Sequence, residues 1–142
     1  MFMTLPKTLF ITGIGGFIGI RLAERCRERG IRAWGVDRDR KAIARARARG
    51  VEALLGDVTD EADCEAMVAA AVEQFGGLDI LVNNAAISKH LPITETSVEV
   101  YDEVLDINLK GTFLCCKHAI TALVERGGGS IVNIGSVAGV RD

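Results

Sequence analysis

Short runs of β-branched and other apolar residues alternate along this chain with longer stretches in which apolar positions recur every three or four residues. Residues 7–12 (KTLFIT) predict a first strand, followed by a glycine turn and a helix ending near Gly30, which suits the position just past a helix C-cap. Residues 31–36 (IRAWGV) predict a second strand, 39–49 (DRKAIARARAR) a helix closed by Gly50, and 51–55 (VEALL) a third strand. The next helix is expected from Thr59 as N-cap to Phe75, with Val68, Ala71, Val72 and Phe75 on one face. Residues 79–83 (DILVN) form the fourth predicted strand. A polar loop with Pro92 then leads to Thr96-x-x-Glu99, read as a capping box opening a helix that reaches about Glu125, and residues 130–134 (SIVNI) give the fifth strand.

Regular alternation of strand and helix predicts an α/β fold: a doubly wound parallel sheet of about five strands with helices on both faces. Right-handed crossovers leave the Rossmann and flavodoxin-like arrangements as the leading topologies, and in both, ligands bind outside the carboxyl ends of the strands. The 142 residues suffice for one domain, so 1–142 is read as a single unit.

Composition narrows the function. With 17 basic and 19 acidic side chains the net charge is −2, which gives no field directed at nucleic acid or an anionic membrane. No apolar run approaches the roughly 20 residues that span a bilayer, and the opening residues do not read as a secretion signal, so a cytoplasmic location is expected. Cys26, Cys64, Cys115 and Cys116 show no CxxC spacing, and His90 and His118 sit in no ligand motif, so no metal site is expected. The vicinal Cys115 and Cys116 read as small apolar fillers on a helix rather than a redox pair.

The chemistry-bearing signal is Thr12-Gly13-Ile14-Gly15-Gly16-Phe17-Ile18-Gly19, between the first strand and the first helix. Glycines let backbone amides approach a pyrophosphate, and a helix N-terminus favours its charge. Asp37 ends the second strand 18 residues after Gly19, near the spacing expected between such a turn and a ribose-binding acid. A carboxylate there accepts both ribose hydroxyls and repels a 2′-phosphate, so NAD is favoured over NADP. Arg38, with Arg40 and Lys41, offers the opposing possibility of pairing with that phosphate.

Six motifs in order then carry a resemblance: TGxxxxxG at 12–19, Asp37, GDV at 56–58, NNAA at 83–86, DINLKGTF at 106–113 and IVNIGSVAG at 131–139. On these the sequence resembles the short-chain dehydrogenase/reductase family along essentially its whole length. The resemblance implies that Gly13, Gly16 and Gly19 line the pyrophosphate loop and that Asp57 with Val58 contacts adenine. It implies that Asn83, Asn84, Ala85 and Ala86 close the floor beneath the cofactor. Asn108 matches the family's catalytic asparagine, which holds a water in a proton relay, and Ser136 the serine that binds the substrate's alcohol or carbonyl oxygen. The residues agree: Asn108 lies among Val104, Leu105, Ile107 and Leu109, where an amide must find partners, and Ser136 follows Gly135 just past a strand end.

Two departures stand out. Phe17 occupies a position that is glycine in the shorter family members, giving the Gly13-x-x-Gly16-x-x-Gly19 spacing of the extended ones. The family's tyrosine-x-x-x-lysine pair lies beyond the serine, and residue 142 comes before it; Tyr101 has Leu105, not lysine, four residues on. The reading is therefore an NAD(P)-dependent oxidoreductase acting on a small alcohol or carbonyl substrate, truncated relative to the family and inactive as it stands. The resemblance implies a homo-oligomer for the full-length form. A non-catalytic dinucleotide-binding or regulatory module is the alternative, and a flavodoxin-like domain a third.

Overall fold

A computed structural model describes residues 6–136. Its elements in chain order are β1 (Thr8–Thr12), α1 (Phe17–Glu28), β2 (Arg32–Asp37), α2 (Arg40–Ala48), β3 (Glu52–Leu55), α3 (Glu61–Phe75), β4 (Ile80–Asn83), α4 (Val98–Leu105), α5 (Gly111–Glu125) and β5 (Ser130–Asn133). The five strands are parallel in the order β3-β2-β1-β4-β5. Strand order reverses beside β1, as in a Rossmann sheet and unlike the flavodoxin order.

Every residue of β1 is buried, and its side chains alternate between two cores. Leu9 and Ile11 pack with Ile20 and Ala23 of α1 and Ile43 and Ala46 of α2 on one face. Phe10 points to the other face, where it meets Trp34, Met67 and Ala71 of α3, and Leu114 and Ala119 of α5. Trp34 is the hub there, its ring centroid 4.7 Å from Phe10 and 5.3 Å from Phe75. The two helices read as ending at glycines do so: Ile31 N reaches back to Cys26 O after Gly30, and Val51 N to Ala46 O after Gly50.

Four expectations are corrected. The α3 cap is Asp60, which accepts from Asp63 N, because the Thr59 hydroxyl is committed to Asp57 Oδ1 at 2.9 Å. The α4 cap is Ser97, accepting from Val100 N, because the Thr96 hydroxyl donates to Pro92 O; the capping box is not formed. The buried stripe of α3 is Cys64, Met67, Val68 and Ala71, and Val72 is exposed. The helix expected from Thr96 to Glu125 is also not continuous. Between α4 and α5 it widens at Asp106–Lys110 into a π turn, with Gly111 N bonded to Asp106 O.

The vicinal cysteines face different ways. Cys115 is buried with its sulfur 3.9 Å from that of Cys64, and this contact together with burial pushes its thiol pKa up. Cys116 Sγ instead accepts from Asn83 Nδ2. All four cysteines are free thiols; Cys26, Cys64 and Cys115 are buried and Cys116 is half-buried. The strand β5 is an edge with Val132 and the following Ile134 both exposed. Among the described residues no helix is long and apolar enough to cross a membrane, and no cluster of three metal-ligating side chains is present.

Candidate active site

A cleft of about 990 Å³ opens at the carboxyl ends of the strands. That is the upper end of the roughly 300–1,000 Å³ usual for cofactor sites. Gly13, Gly16, Phe17 and Ile18 line it from the first turn, Asp37 and Arg38 from the end of β2, and Asp57 and Val58 from the loop after β3. Asn84, Ala85 and Ala86 line it from the loop after β4, Asn108 from the π turn and Ser136 from the segment after β5. The motifs read separately along the chain thus meet in one crevice. Residues 137–139 of the last motif lie outside the described residues.

The turn is shaped for an anion. Gly13 holds a left-handed φ of 66°, and a Cβ there would lie 3.0 Å from Ala85 Cα. No side chain caps α1 and no acid sits in its first turn, and Gly16, Phe17 and Ile18 at its start line the cleft, a setting that favours an anion. Phe17 is 84% exposed at the rim. Gly15 and Gly19 stand behind the lining: a Cβ on Gly15 would meet Ala42, and one on Gly19 would lie 2.6 Å from Gly13 O. Their bareness packs α1 and α2 against the turn. Asp37 is oriented by two amides, Gly15 N at 3.1 Å and Asp39 N at 3.0 Å, one on each carboxylate oxygen. Each oxygen keeps a lone pair for a ribose hydroxyl.

Thr12 lies behind the cleft lining, and Asn84, which lines it, has its amide nitrogen bound to the glycine turn. The buried Thr12 Oγ1 accepts from Asn84 N and Ala85 N, each at 3.0 Å, while Asn84 Nδ2 donates to Thr12 O and Gly13 O. This brace fixes the glycine turn to the loop after β4. Thr12→Val, nearly isosteric, would strand two amides and is expected to cost about 3 kcal/mol of stability. Urea unfolding tests it, and a loss below about 1 kcal/mol would show that the brace is dispensable.

Asn108 is exposed rather than buried among the apolar residues that flank it, which corrects the sequence expectation. Its amide nonetheless pairs with the Ile87 backbone: Oδ1 accepts from Ile87 N and Nδ2 donates to Ile87 O, both at 2.9 Å. The π turn and this paired bond hold one another in place, so the side chain clamps the loop after β4 and the widened backbone faces the cleft. Sequence reasoning missed Asn133, which also lines the cleft. Its Oδ1 accepts from Asn83 Nδ2 at 2.8 Å, joining β5 to β4 beneath the site, and Asn83 Oδ1 is buried without a partner among the described residues. Their matching positions in paired strands were the available signal.

A family model described as short chain dehydrogenase matches residues 7–142. The chain belongs to the short-chain dehydrogenase family. Its similarity to individual members is consistent with that. It is 43% identical over 139 residues to a 2,5-dichloro-2,5-cyclohexadiene-1,4-diol dehydrogenase of Sphingobium indicum, covering 94% of this chain and 56% of the relative. Among solved structures it superposes on NAD+-bound xylitol dehydrogenase with a TM-score of 0.86 at 34% identity, over 95% of this chain and 55% of that one. An actinorhodin polyketide ketoreductase with NADPH gives a TM-score of 0.86 and 34% identity, over 96% and 55%. The chain therefore spans a little over half the length of these short-chain dehydrogenases. Relatives solved with NAD+ and with NADPH are both present, so the fold alone does not choose between the two.

Proposed function

We propose that this chain is the dinucleotide-binding part of an NAD(P)-dependent dehydrogenase, preferring NAD, that passes a hydride between the nicotinamide and a secondary alcohol or ketone. The observation that carries the reading is the single crevice shared by the bare glycine turn, Asp37, the Asp57–Val58 wall and the two polar residues Asn108 and Ser136. These residues fit the group. Gly13 and Gly16 leave room for a pyrophosphate at the α1 N-terminus, Asp37 presents a carboxylate to the adenosine ribose, and the uncharged end of the crevice by Asn133 and Ser136 suits the nicotinamide. The nicotinamide, when bound, donates or takes the hydride. Ser136 hydrogen-bonds the substrate oxygen, and the Asn108 turn holds the loop after β4 against the site.

A proton must move at the same oxygen, and no histidine, lysine or tyrosine lines the described cleft. Tyr101 is exposed on α4 and lies outside it. The 142-residue chain is accordingly expected to bind NAD+ in calorimetry without producing NADH from a panel of secondary alcohols. NADH formed by the purified chain would overturn the inactivity, and absence of NAD+ binding would overturn the dinucleotide reading. The exposed apolar side chains of α4, the π turn and α5, with Tyr101, Leu109, Phe113 and Val124 among them, support assembly as a homo-oligomer through that face. In sizing chromatography the chain should then run larger than a monomer.

A further inference from the structure

We infer that Glu103 is a specificity-determining residue: it holds two cations away from the adenosine ribose and so disfavours a dinucleotide bearing a 2′-phosphate. The inference rests on the dinucleotide reading above. Arg38 follows the ribose acid Asp37 and lines the cleft from the end of β2, while Lys89 follows Ser88 in the loop after β4. Glu103 reaches both from α4. Arg38 Nη2 lies 3.4 Å from its Oε1, and Lys89 Nζ lies 3.3 Å from its Oε2. Each carboxylate oxygen is thus assigned to a different cation.

The placement gives these ion pairs their meaning. Because β2 and β4 flank β1, the Arg38–Glu103–Lys89 bridge links the two sides of the crevice beside the ribose position. Asp37 and Asp39 line the cleft on either side of Arg38, and Glu103 brings a third carboxylate to that arginine. The Lys89 ammonium, and after it the Arg38 guanidinium, hold the Glu103 carboxyl below its usual range, so it is ionised at neutral pH. A ribose 2′-phosphate recruits an arginine through paired charge-assisted bonds. Here Arg38 must first leave Glu103, and the incoming phosphate meets one more like charge.

The bridge adds little to the fold. Both pairs are exposed, with side-chain exposures of 48% and 44% for the cations and 40% for Glu103, and pairs in such settings contribute little to stability. Glu103→Gln should therefore fold like the wild type and release both cations with the side-chain shape kept. Glu103→Ala provides a second variant with the same expectation.

Calorimetry of NAD+ and NADP+ with the 142-residue chain and each variant tests the assignment. Wild type should favour NAD+. In Glu103→Gln the affinity for NADP+ should rise about tenfold, the scale of one charge-assisted bond gained, with that for NAD+ unchanged. The gain should shrink as salt is raised and vanish when Arg38→Ala is added. A ratio of the two affinities that is unchanged in both variants would overturn the role of Glu103 and leave the dinucleotide reading standing. Failure of both nucleotides to bind wild type and variants alike would overturn that reading and this one with it.

Discussion

Gly35→Ala should abolish the stable fold. A Cβ at this position would lie 1.9 Å from Ile11 O, 2.9 Å from Ile11 C and 2.9 Å from Ile14 Cβ. The first two atoms belong to the backbone of β1, the central strand, and Ile11 and Ile14 are completely buried. No side-chain rotation relieves the contact; β1 and β2 would have to part. Overpacking with a yielding neighbour costs about 1–3 kcal/mol, and here the neighbour is a strand carbonyl, so a loss of at least about 4 kcal/mol is expected. Set against a typical total of about 5–15 kcal/mol, that leaves the chain largely unfolded or insoluble on expression. Gly135→Ala is the matched control: among the described residues nothing lies within 4 Å of its Cβ, and the change should stay within about 0.5 kcal/mol. Soluble Gly35→Ala protein whose urea midpoint lies within reach of wild type would show that the strands separate more cheaply than this packing implies.

The same contact ties the fold to the site. Ile14 N donates to Val36 O at 3.0 Å, and Gly15 N to Asp37 Oδ2 at 3.1 Å, so the spacing of β1 and β2 sets where the glycine turn meets the ribose acid. A glycine inside an otherwise regular strand pattern is the sequence trace of such close backbone approach. It was legible in IRAWGV, although nothing in the sequence says which carbonyl approaches.

What could be read in advance were features that local chemistry determines. The strand and helix alternation, the C-terminal glycines and the glycine turn depend on residues close in sequence, and the turn and Asp37 do meet in one cleft. The N-caps were each read one residue early because two capping residues stand side by side. Thr59 and Thr96 are spent on Asp57 and Pro92, bonds that depend on the preceding loop. The π turn escaped because its partner, the Ile87 backbone, is 21 residues from Asn108. Glu103 escaped because its two partners, Arg38 and Lys89, come from segments far from it in the sequence. Periodicity carries no information about such long-range pairings.

Asp79 escaped for the same reason, and its replacement is the second large effect expected. It precedes β4 at the amino ends of the strands, opposite the cleft. Its Oδ2 accepts from Lys7 N at 2.7 Å and Thr8 N at 2.9 Å, with the Thr8 hydroxyl at 3.1 Å, and its Oδ1 accepts from Arg126 Nε at 3.0 Å. Its own backbone carbonyl takes Ser130 N, so one residue joins the starts of β1, β4 and β5 to the end of α5. Asp79→Ala strands these donors and is expected to cost about 3 kcal/mol, with Asp79→Asn somewhat less because an amide oxygen replaces one acceptor. Burial alone would raise this carboxyl, but the Arg126 guanidinium, the amides of Lys7 and Thr8 and the Thr8 hydroxyl outweigh it and lower its pKa. A lowered folded-state pKa means that the unfolded chain binds the proton first. The stabilisation is therefore fully present above the unfolded carboxyl's value of about 3.9 and is lost as pH falls through the lower folded value. Stability measured by urea from pH 7 downward should fall below about pH 4 in wild type, and less steeply in Asp79→Asn, which has no proton to take up there. Equal acid limbs in the two proteins would show that other carboxylates carry the effect. NAD+ affinity at neutral pH should be the same in both, because the latch stands at the amino edge of the sheet and every cleft residue at the carboxyl edge.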